Sequence, residues 1–337
     1  MARWPKSPKD HASEPYFQPY FRQLLAKQIA SFARIKDMLK IAFSPIYKYD
    51  LPEGHRFPME KYELLPEQLV YEGTVSESQF FHPPSLADED ILRTHTSQFL
   101  QKLNNNTLTK LEARKIGFPM SRRLIERGKH IAMGTLMCAR FAIENGVSMN
   151  IAGGTHHSYA DRGEGFCVFN DFAIASNILL HQGEVQKILI VDLDVHQGNG
   201  NAKLFEKEPR VFTFSMHGAK NYPLKKEKSD LDIPLPDGME DKNYLQLLSE
   251  NLPKLIDEVQ PDLIFYQSGV DILLYDKLGR LNISMEGCKK RDEMVFSMAK
   301  RNNIPIAVSM GGGYSPSIKH IIEAHANTYR VAQEKYF

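Results

Sequence analysis

The sequence predicts an α/β fold in which helices cover both faces of a central parallel β-sheet. From about residue 120 onward, helical periodicity alternates with short apolar runs. These runs are apolar throughout, which is typical of parallel strands that are buried on both faces. No apolar run approaches the roughly 20 residues that a membrane-spanning helix requires, and the sequence has no internal repeat. We therefore predict one sheet-centred domain without a membrane span.

The order of the predicted elements supports this fold, because helices alternating with strands favour parallel pairing. Asn170 and Asp171 can cap the second of the helices, which are predicted over residues 121–145, 172–181, 242–259, 285–301 and at the C-terminus. Strands are predicted at residues 149–152, 187–191, 211–215, 263–267 and 304–310. Polar motifs follow several of these strands, and ligands bind at the carboxyl ends of the strands in such sheets.

The first third of the chain is less regular. Residues 1–13 are charged and proline-bearing, and apolar residues recur at helical spacing between residues 16 and 39. We interpret the latter as a helix that packs on the domain rather than one that binds a membrane or a partner. Prolines between residues 40 and 120 predict loops and short helices. The predicted organisation is a partly helical N-terminal extension over 1–38 and one domain over 39–337.

Composition argues against several broad classes of protein. The 337 residues include 42 Lys and Arg against 41 Asp and Glu, which gives a formal net charge of +1. No global field therefore attracts nucleic acid or a membrane surface, although local charged patches are compatible with this value. Cys138, Cys167 and Cys288 are too few and too scattered for a disulfide framework. Because the N-terminus also lacks an apolar signal segment, we predict a cytoplasmic protein.

A metal site is predicted where the motif DLDVHQGNG, residues 192–200, follows a strand. Alternate residues of an extended segment point to one side, so Asp192, Asp194 and His196 can converge. Two carboxylates beside an imidazole, with no Lys or Arg in the motif, favour a bound cation. Asp271 follows the strand at 263–267 and completes a three-ligand set with Asp194 and His196. Such a set leaves an open position, as catalytic zinc sites do, and iron or cobalt would also fit.

Two further motifs follow predicted strands, GGTHHSYADRGEGFCVFND at 153–171 and SMGGGYS at 309–315. The adjacent His156 and His157 can be metal ligands, acid–base groups or loop residues. Tyr314 follows three glycines and can be a packing residue or a phenolic donor aimed into a pocket. The residue patterns alone leave these alternatives open.

Taken together, the motifs resemble those of the histone deacetylase and acetoin-utilisation superfamily in order, residue type and spacing. The resemblance extends from about Ile41 to Tyr329. It includes PEGHRFPMEKY at 52–62, and DKLGRL at 276–281 after the sequence GVD. It implies an arginase/deacetylase-like single domain that hydrolyses acyl-lysine amides with the help of zinc.

The resemblance implies roles for individual residues. The three predicted ligands correspond to the family's zinc ligands, and His157 corresponds to its general base and acid. His156 corresponds to an electrostatic partner that is hydrogen-bonded to Asp192. Tyr314 corresponds to the tyrosine that polarises the scissile carbonyl, and Asn199 to the residue that orients His157.

The resemblance also implies a second ion and a substrate tunnel. A structural potassium ion would be held by the Asp192 carboxylate, by Ser215 and by backbone oxygens that include that of Met216. The acyl-lysine would contact the backbone of Gly165 and lie between aromatic walls formed by Phe166 and Tyr222.

Several positions look most like class IV members of the family. These are SYADRGEGF at 158–166, RDEMVF at 291–296, and Asn199, which replaces the aspartate of many class I members. Glu164 departs from class IV, where a glycine is usual. Because class IV members remove long fatty acyl groups, the resemblance predicts a preference for long chains.

Three alternative functions remain open at this stage. A small-molecule amidase, such as an acetylpolyamine deacetylase, would share the same site. An arginase-like di-manganese hydrolase would need more carboxylate ligands than the motifs supply. A non-catalytic binder of acylated lysine would not need Tyr314 or the paired histidines. The oligomeric state is not predicted.

Overall fold

A single sheet of eight parallel strands organises the computed structural model, which describes residues 38–337. Residues 1–37 lie outside the described residues, and with them all but the last residue of the predicted extension over 1–38 and all but the end of the predicted helix over 16–39. The strand order is β2-β1-β3-β8-β7-β4-β5-β6. The strands are β1 (Lys40–Ala42), β2 (Phe80–Phe81), β3 (Val147–Asn150), β4 (Ile188–Asp192), β5 (Val211–Gly218), β6 (Leu231–Leu235), β7 (Leu263–Gln267) and β8 (Ile306–Ser309).

Helices flank this sheet and confirm the predicted α/β class. The long helix α5 packs beside α6, and α9 packs between α8 and α10. No helix of the described part of the chain has the length and apolarity needed to cross a membrane. The helices are α1 (Lys61–Tyr71), α2 (Asp88–Ile91), α3 (Ser97–Asn104), α4 (Lys110–Ile116), α5 (Arg122–Asn145), α6 (Asp171–Gln182), α7 (Asn199–Phe205), α8 (Asp241–Val259), α9 (Met285–Arg301) and α10 (Ile318–Tyr336).

Local capping explains why the predicted helix starts are accurate. The side chains of Ser121, Asn170 and Ser284 each accept a hydrogen bond from the backbone N–H three residues later, at the starts of α5, α6 and α9. Such caps satisfy backbone donors that a helix leaves free at its first turn. Strand β7 and helix α9 have the predicted bounds, whereas β3 and β8 are displaced or shortened by a few residues.

The prediction of only loops and short helices between residues 40 and 120 is incomplete. This region also supplies β1 and β2, which have three and two residues and are too short to show a period. The sequence analysis also missed β6, an edge strand that contains Pro234. Pro66 lies inside α1, where buried Leu65 and Leu69 pack the helix against the domain. Tertiary packing therefore overrides the local preference of proline in this helix.

Register brings the carboxyl ends of the central strands together. Asp192, the last residue of β4, lies opposite Ser215 of β5 and Gln267 of β7. Gln267 in turn lies opposite Ser309 of β8. Because these strands are parallel, the segments that follow them leave the sheet at one edge, where ligands bind in folds of this kind.

Candidate active site

Asp194, His196 and Asp271 converge at this edge of the sheet. Asp194 and His196 follow β4, and Asp271 follows β7. The Nδ1 atom of His196 lies 3.0 Å from Asp194 Oδ1 and 3.0 Å from Asp271 Oδ2. One ligand atom from each residue lies within 4.8 Å of the others, and all three residues are buried. The predicted ligand set is therefore assembled in space.

The electrostatics of this cluster fit a bound cation. Burial and the nearby Asp194 carboxylate raise the pKa of Asp271 to about 7. Burial alone would lower the pKa of His196, but the two carboxylates raise it to about 10. Two carboxylates that share one imidazole are the oxygen and nitrogen donors that divalent zinc, iron or cobalt accepts. A divalent cation would offset the repulsion between the carboxylates.

Backbone amides orient both carboxylates. Val195 N donates to Asp271 Oδ1 at 2.9 Å, and Gly312 N donates to Asp194 Oδ2 at 2.9 Å. A Cβ atom at Gly312 would overlap the carboxylates of Asp194 and Asp271. Glycine is therefore required at residue 312 because the backbone approaches the cluster closely.

His156 and His157 lie beside the cluster and have different hydrogen-bond partners. His156 Nδ1 lies 2.6 Å from Asp192 Oδ2, and His157 Nδ1 lies 2.6 Å from Asn199 Oδ1. The Asn199 amide also donates to the Tyr159 hydroxyl at 2.9 Å. Because an amide oxygen only accepts, this arrangement assigns the His157 proton to Nδ1 and leaves Nε2 free in the neutral ring.

The two histidines also differ in their affinity for a proton. Burial and the neighbouring His156 and His196 rings hold the pKa of His157 well below its ordinary value. Burial also acts against a charged His156, but the Asp192 carboxylate more than compensates and raises its pKa. His157 is therefore neutral, so its Nε2 is free to take a proton, while Asp192 favours the charged form of His156.

Tyr314 reaches the same cavity from the glycine loop after β8. Its ring centroid lies 6.2 Å from that of His196. Its backbone N–H donates to Asp276 Oδ2 at 2.6 Å. Burial, followed by the Asp271 and Asp194 carboxylates, raises the pKa of the Tyr314 phenol well above its ordinary value. The phenol therefore keeps its proton and is available as a donor.

A narrow inner cavity lies beside the metal cluster, and a wider entrance adjoins it. The inner cavity has a volume of about 40 Å³ and continues past His157 and Tyr314 to Arg127. The entrance has a volume of about 290 Å³, and its lining includes Phe166 and Tyr222. The two predicted aromatic walls therefore lie at the mouth of the site.

The residues around these walls hold them in place. Glu164 accepts a hydrogen bond from the Tyr222 hydroxyl at 2.7 Å. Gly165, with φ +54°, and Phe166, with φ +67°, form a left-handed turn. Phe57 contacts the Phe166 ring at a centroid distance of 5.1 Å. The glutamate that departs from the class IV pattern thus positions a tunnel wall.

The predicted potassium ligands lie at the end of β4 and in β5, next to His156. Asp192 and Ser215 are opposite each other in β4 and β5, and Met216 follows Ser215. Asp192 accepts hydrogen bonds from His156 and, at 3.3 Å, from the backbone of Asp194. The Ser215 hydroxyl lies 3.0 Å from His217 Nδ1. These contacts identify no ion, so potassium stays a prediction.

Sequence reasoning missed Arg291, which positions the metal-binding segments from α9. Its guanidinium is completely buried and donates to Gly269 O at 2.5 Å, to Ser268 O at 3.2 Å and to Leu193 O at 3.4 Å. These carbonyls lie next to the segments that carry the metal cluster. A usable signal exists, because Arg291 and Asp292 are charged residues at positions where the helical spacing of α9 places buried, mostly apolar residues.

Lys61 and Asp276 were also missed, and both hold the loop that presents Tyr314. Lys61 Nζ donates to Gly311 O at 3.0 Å from a completely buried position. Burial lowers the pKa of Lys61 to about 8. PEGHRFPMEKY and DKLGRL contain these residues, but nothing in either motif indicates their partners.

Comparison with known proteins assigns a family to this arrangement. Residues 55–329 match the model of the histone deacetylase domain. An uncharacterized protein of Picosynechococcus sp. is 40% identical over 297 residues, which cover 88% of this chain and 99% of that protein. Histone deacetylase 2 of Arabidopsis thaliana is 31% identical over 277 residues, which cover 80% of this chain and 72% of the relative.

Solved structures support the fold. The HD domain of HDA15 has a TM-score of 0.77 at 18% identity, and the alignment covers 89% of each chain. An HDAC homolog complexed with SAHA has a TM-score of 0.73 at 24% identity, covering 88% of this chain and 83% of the other. At these identities the similarity concerns the arrangement of the backbone.

The position of Arg291 predicts a large effect on stability. Arg291→Leu removes the donors of three buried carbonyls and leaves Asp292 without its cationic partner, which lies 2.8 Å away. We expect the free energy of unfolding to fall by about 3–5 kcal/mol, measured by urea denaturation. Lys290→Leu, on the exposed side of the same helix, is the matched control. Equal stabilities of the two variants would contradict the role of Arg291.

Proposed function

Because the chain belongs to the histone deacetylase family of hydrolases, we propose that it hydrolyses acyl-lysine amides with a bound zinc ion. One observation carries the proposal: Asp194, His196 and Asp271 converge beside a second histidine and a tyrosine at one cavity. Zinc bound there would supply a Lewis acid for the amide carbonyl and for water. The acylated lysine would enter between Phe166 and Tyr222.

The protein's own groups account for the proton transfers and for charge stabilisation. His157, with Nε2 free, takes a proton from the attacking water and returns one to the leaving lysine nitrogen. Asn199 holds that tautomer, and Asp192 orients His156. The Tyr314 phenol donates to the oxygen on which negative charge develops.

The geometry of the site also supports this proposal over two of its alternatives. Among the described residues, one group of His, Cys, Asp and Glu is close enough to hold a metal ion. An arginase-like di-manganese centre would need further carboxylate ligands beside this group, since two ions about 3.5–4 Å apart must both be held. A non-catalytic binder would not need His157 and Tyr314 to line the same cavity as the metal cluster.

The charge of the entrance argues against an acetylpolyamine as substrate. Four cationic side chains line it, namely Arg56, Lys115, Lys220 and Arg280, and no Asp or Glu of the described chain joins them in that lining. An acetylpolyamine carries ammonium groups, which these side chains would repel. An acylated lysine in a peptide has no such charge on its own side chain.

The inner cavity favours a short acyl group over the long chain that the class IV resemblance predicts. Its volume of about 40 Å³ gives room for only a few atoms, since one water molecule needs roughly 10–15 Å³ of such cavity space. The glycines near the metal do not widen it. A Cβ atom at Gly154, for example, would overlap the Gln267 amide. Binding a long chain would require this packing to open.

Removal of one metal ligand tests the zinc proposal. Asp271→Ala should lose the metal and nearly all amide hydrolysis, because an open three-ligand site has no spare ligand. Metal analysis of the purified protein gives the zinc content, and an acetyl-lysine peptide gives kcat/KM. Asp257→Ala, at an exposed position of α8, should retain both. Full zinc occupancy in Asp271→Ala would remove this residue from the proposed site.

The roles of His157 and Tyr314 predict losses in kcat with the metal retained. His157→Ala should lower kcat by about 10²–10⁴, the usual contribution of a positioned proton-transfer group. Tyr314→Phe should lower it by roughly 10²–10³, because one donor to the developing charge is lost. The exposed Tyr71, replaced as Tyr71→Phe, is the control. A wild-type kcat for Tyr314→Phe on a peptide amide would reduce this tyrosine to a packing role.

Cavity size predicts the order of acyl preference. We expect kcat/KM to be highest for acetyl-lysine and lower for octanoyl- and myristoyl-lysine in peptides of one sequence. Each buried methylene contributes about 0.8 kcal/mol, so a cavity that opened would reverse the order. A clear preference for myristoyl-lysine would therefore support the long-chain prediction and would leave the proposed hydrolysis intact.

A further inference from the structure

The cations at the entrance come from four separate parts of the chain. Arg56 precedes α1, Lys115 lies in α4, Lys220 follows β5 and Arg280 follows β7. All four side chains are exposed and line the opening through which a substrate reaches His157 and His196. The fold therefore gathers this charge at the mouth, although the chain as a whole carries a net charge of only +1.

Nearby carboxylates do not neutralise these four cations. Lys220 and Arg280 share one carboxylate oxygen of Asp237, at 3.6 and 3.3 Å. Arg56 lies 5.0 Å from the centroid of the Phe166 ring. Lys115 has no carboxylate within 4.0 Å among the residues that the structure describes. The entrance therefore has an excess of positive charge.

Glu164, which contacts the Tyr222 wall, already has hydrogen-bond partners. It accepts hydrogen bonds from Arg162 at 2.8 Å and from the Tyr222 hydroxyl at 2.7 Å. Arg162 also lies 3.0 Å from Asp161, so these two carboxylates share one cation, and neither of them belongs to the lining of the entrance.

Backbone contacts connect these cations to the proposed lysine path. The carbonyl of Lys115 accepts a hydrogen bond from Gly165 N at 3.0 Å, next to Phe166. Lys220 lies two residues before Tyr222, on the opposite wall. A peptide whose acylated lysine enters between these walls would bring its flanking residues against the cations.

We infer that the preferred substrate is an acidic peptide segment, in which Asp or Glu residues flank the acylated lysine. This inference rests on the proposed function and adds the substrate's chemical class to it. An anionic membrane surface would also attract cations, and the exposed Leu224 lies on the same loop as Lys220. The peptide is favoured because the four cations surround the opening of the site instead of sharing one outer loop.

The inference is tested with acetyl-lysine peptides of one length that carry Asp, Ser or Lys on both sides of the acetylated residue. We expect kcat/KM to decrease in the order Asp, Ser, Lys, with roughly 3- to 10-fold between the first and last. The change should lie mainly in KM, because the entrance contacts the flanking residues and not the amide. Raising the salt concentration from 0.05 to about 0.5 M should reduce the preference, since these charges are exposed.

Variants of the entrance cations test whether these side chains cause the preference for acidic peptides. Lys115→Gln combined with Lys220→Gln should bring the kcat/KM values for the Asp and Ser peptides to within about twofold of each other. Lys187→Gln removes an exposed lysine at the opposite edge of the sheet and should keep the preference. Equal kcat/KM for all peptides in the wild type would overturn the inference.

Two further outcomes distinguish a failure of the proposed function from a failure of this inference. If the zinc-loaded protein hydrolyses none of the peptides, the proposed function fails. If hydrolysis ignores the flanking charge, but the protein binds phosphatidylserine vesicles through Lys115 and Lys220, a membrane surface replaces the acidic peptide and the inference is wrong.

Discussion

Compensation of buried negative charge is the constraint on which this site depends. Asp192, Asp194 and Asp271 are buried at one edge of the sheet, where an unpaired carboxylate would be strongly destabilising. Asp192 is balanced by His156, while Asp194 and Asp271 share His196. The remaining excess of negative charge suits a divalent cation. Parallel strands permit this concentration because they deliver separate chain segments to the same edge.

The same constraint distinguishes two adjacent histidines. The Asp192 carboxylate raises the pKa of His156, whereas burial and the neighbouring His156 and His196 rings lower the pKa of His157. Residues that are consecutive in sequence thereby acquire different proton affinities, as acid–base chemistry requires. Tyr314 remains protonated beside them because burial and the nearby carboxylates oppose its ionisation.

Under the proposed function, substrate selection would be divided between two parts of the site. The inner cavity of about 40 Å³ would limit the acyl group by volume. The entrance would act on the residues that flank the acylated lysine by charge, through cations that include Lys115 and Lys220. The aromatic walls separate these regions, and Glu164 holds Tyr222 between them. The effect of acyl-group size and the effect of charge in the flanking residues can therefore be tested independently.

The sequence by itself determined the fold class, most of the central elements and the candidate metal ligands. Apolar runs and helix caps are local, so β7 and α9 are predicted with the bounds that the structure has. The site residues also follow strands in recognisable motifs. Only the tertiary structure decided the partners of Arg291, the size of the inner cavity and the positive charge of the entrance. These depend on residues distant in sequence, such as Lys115 and Lys220, and periodicity along a chain carries no information about which distant segments will meet.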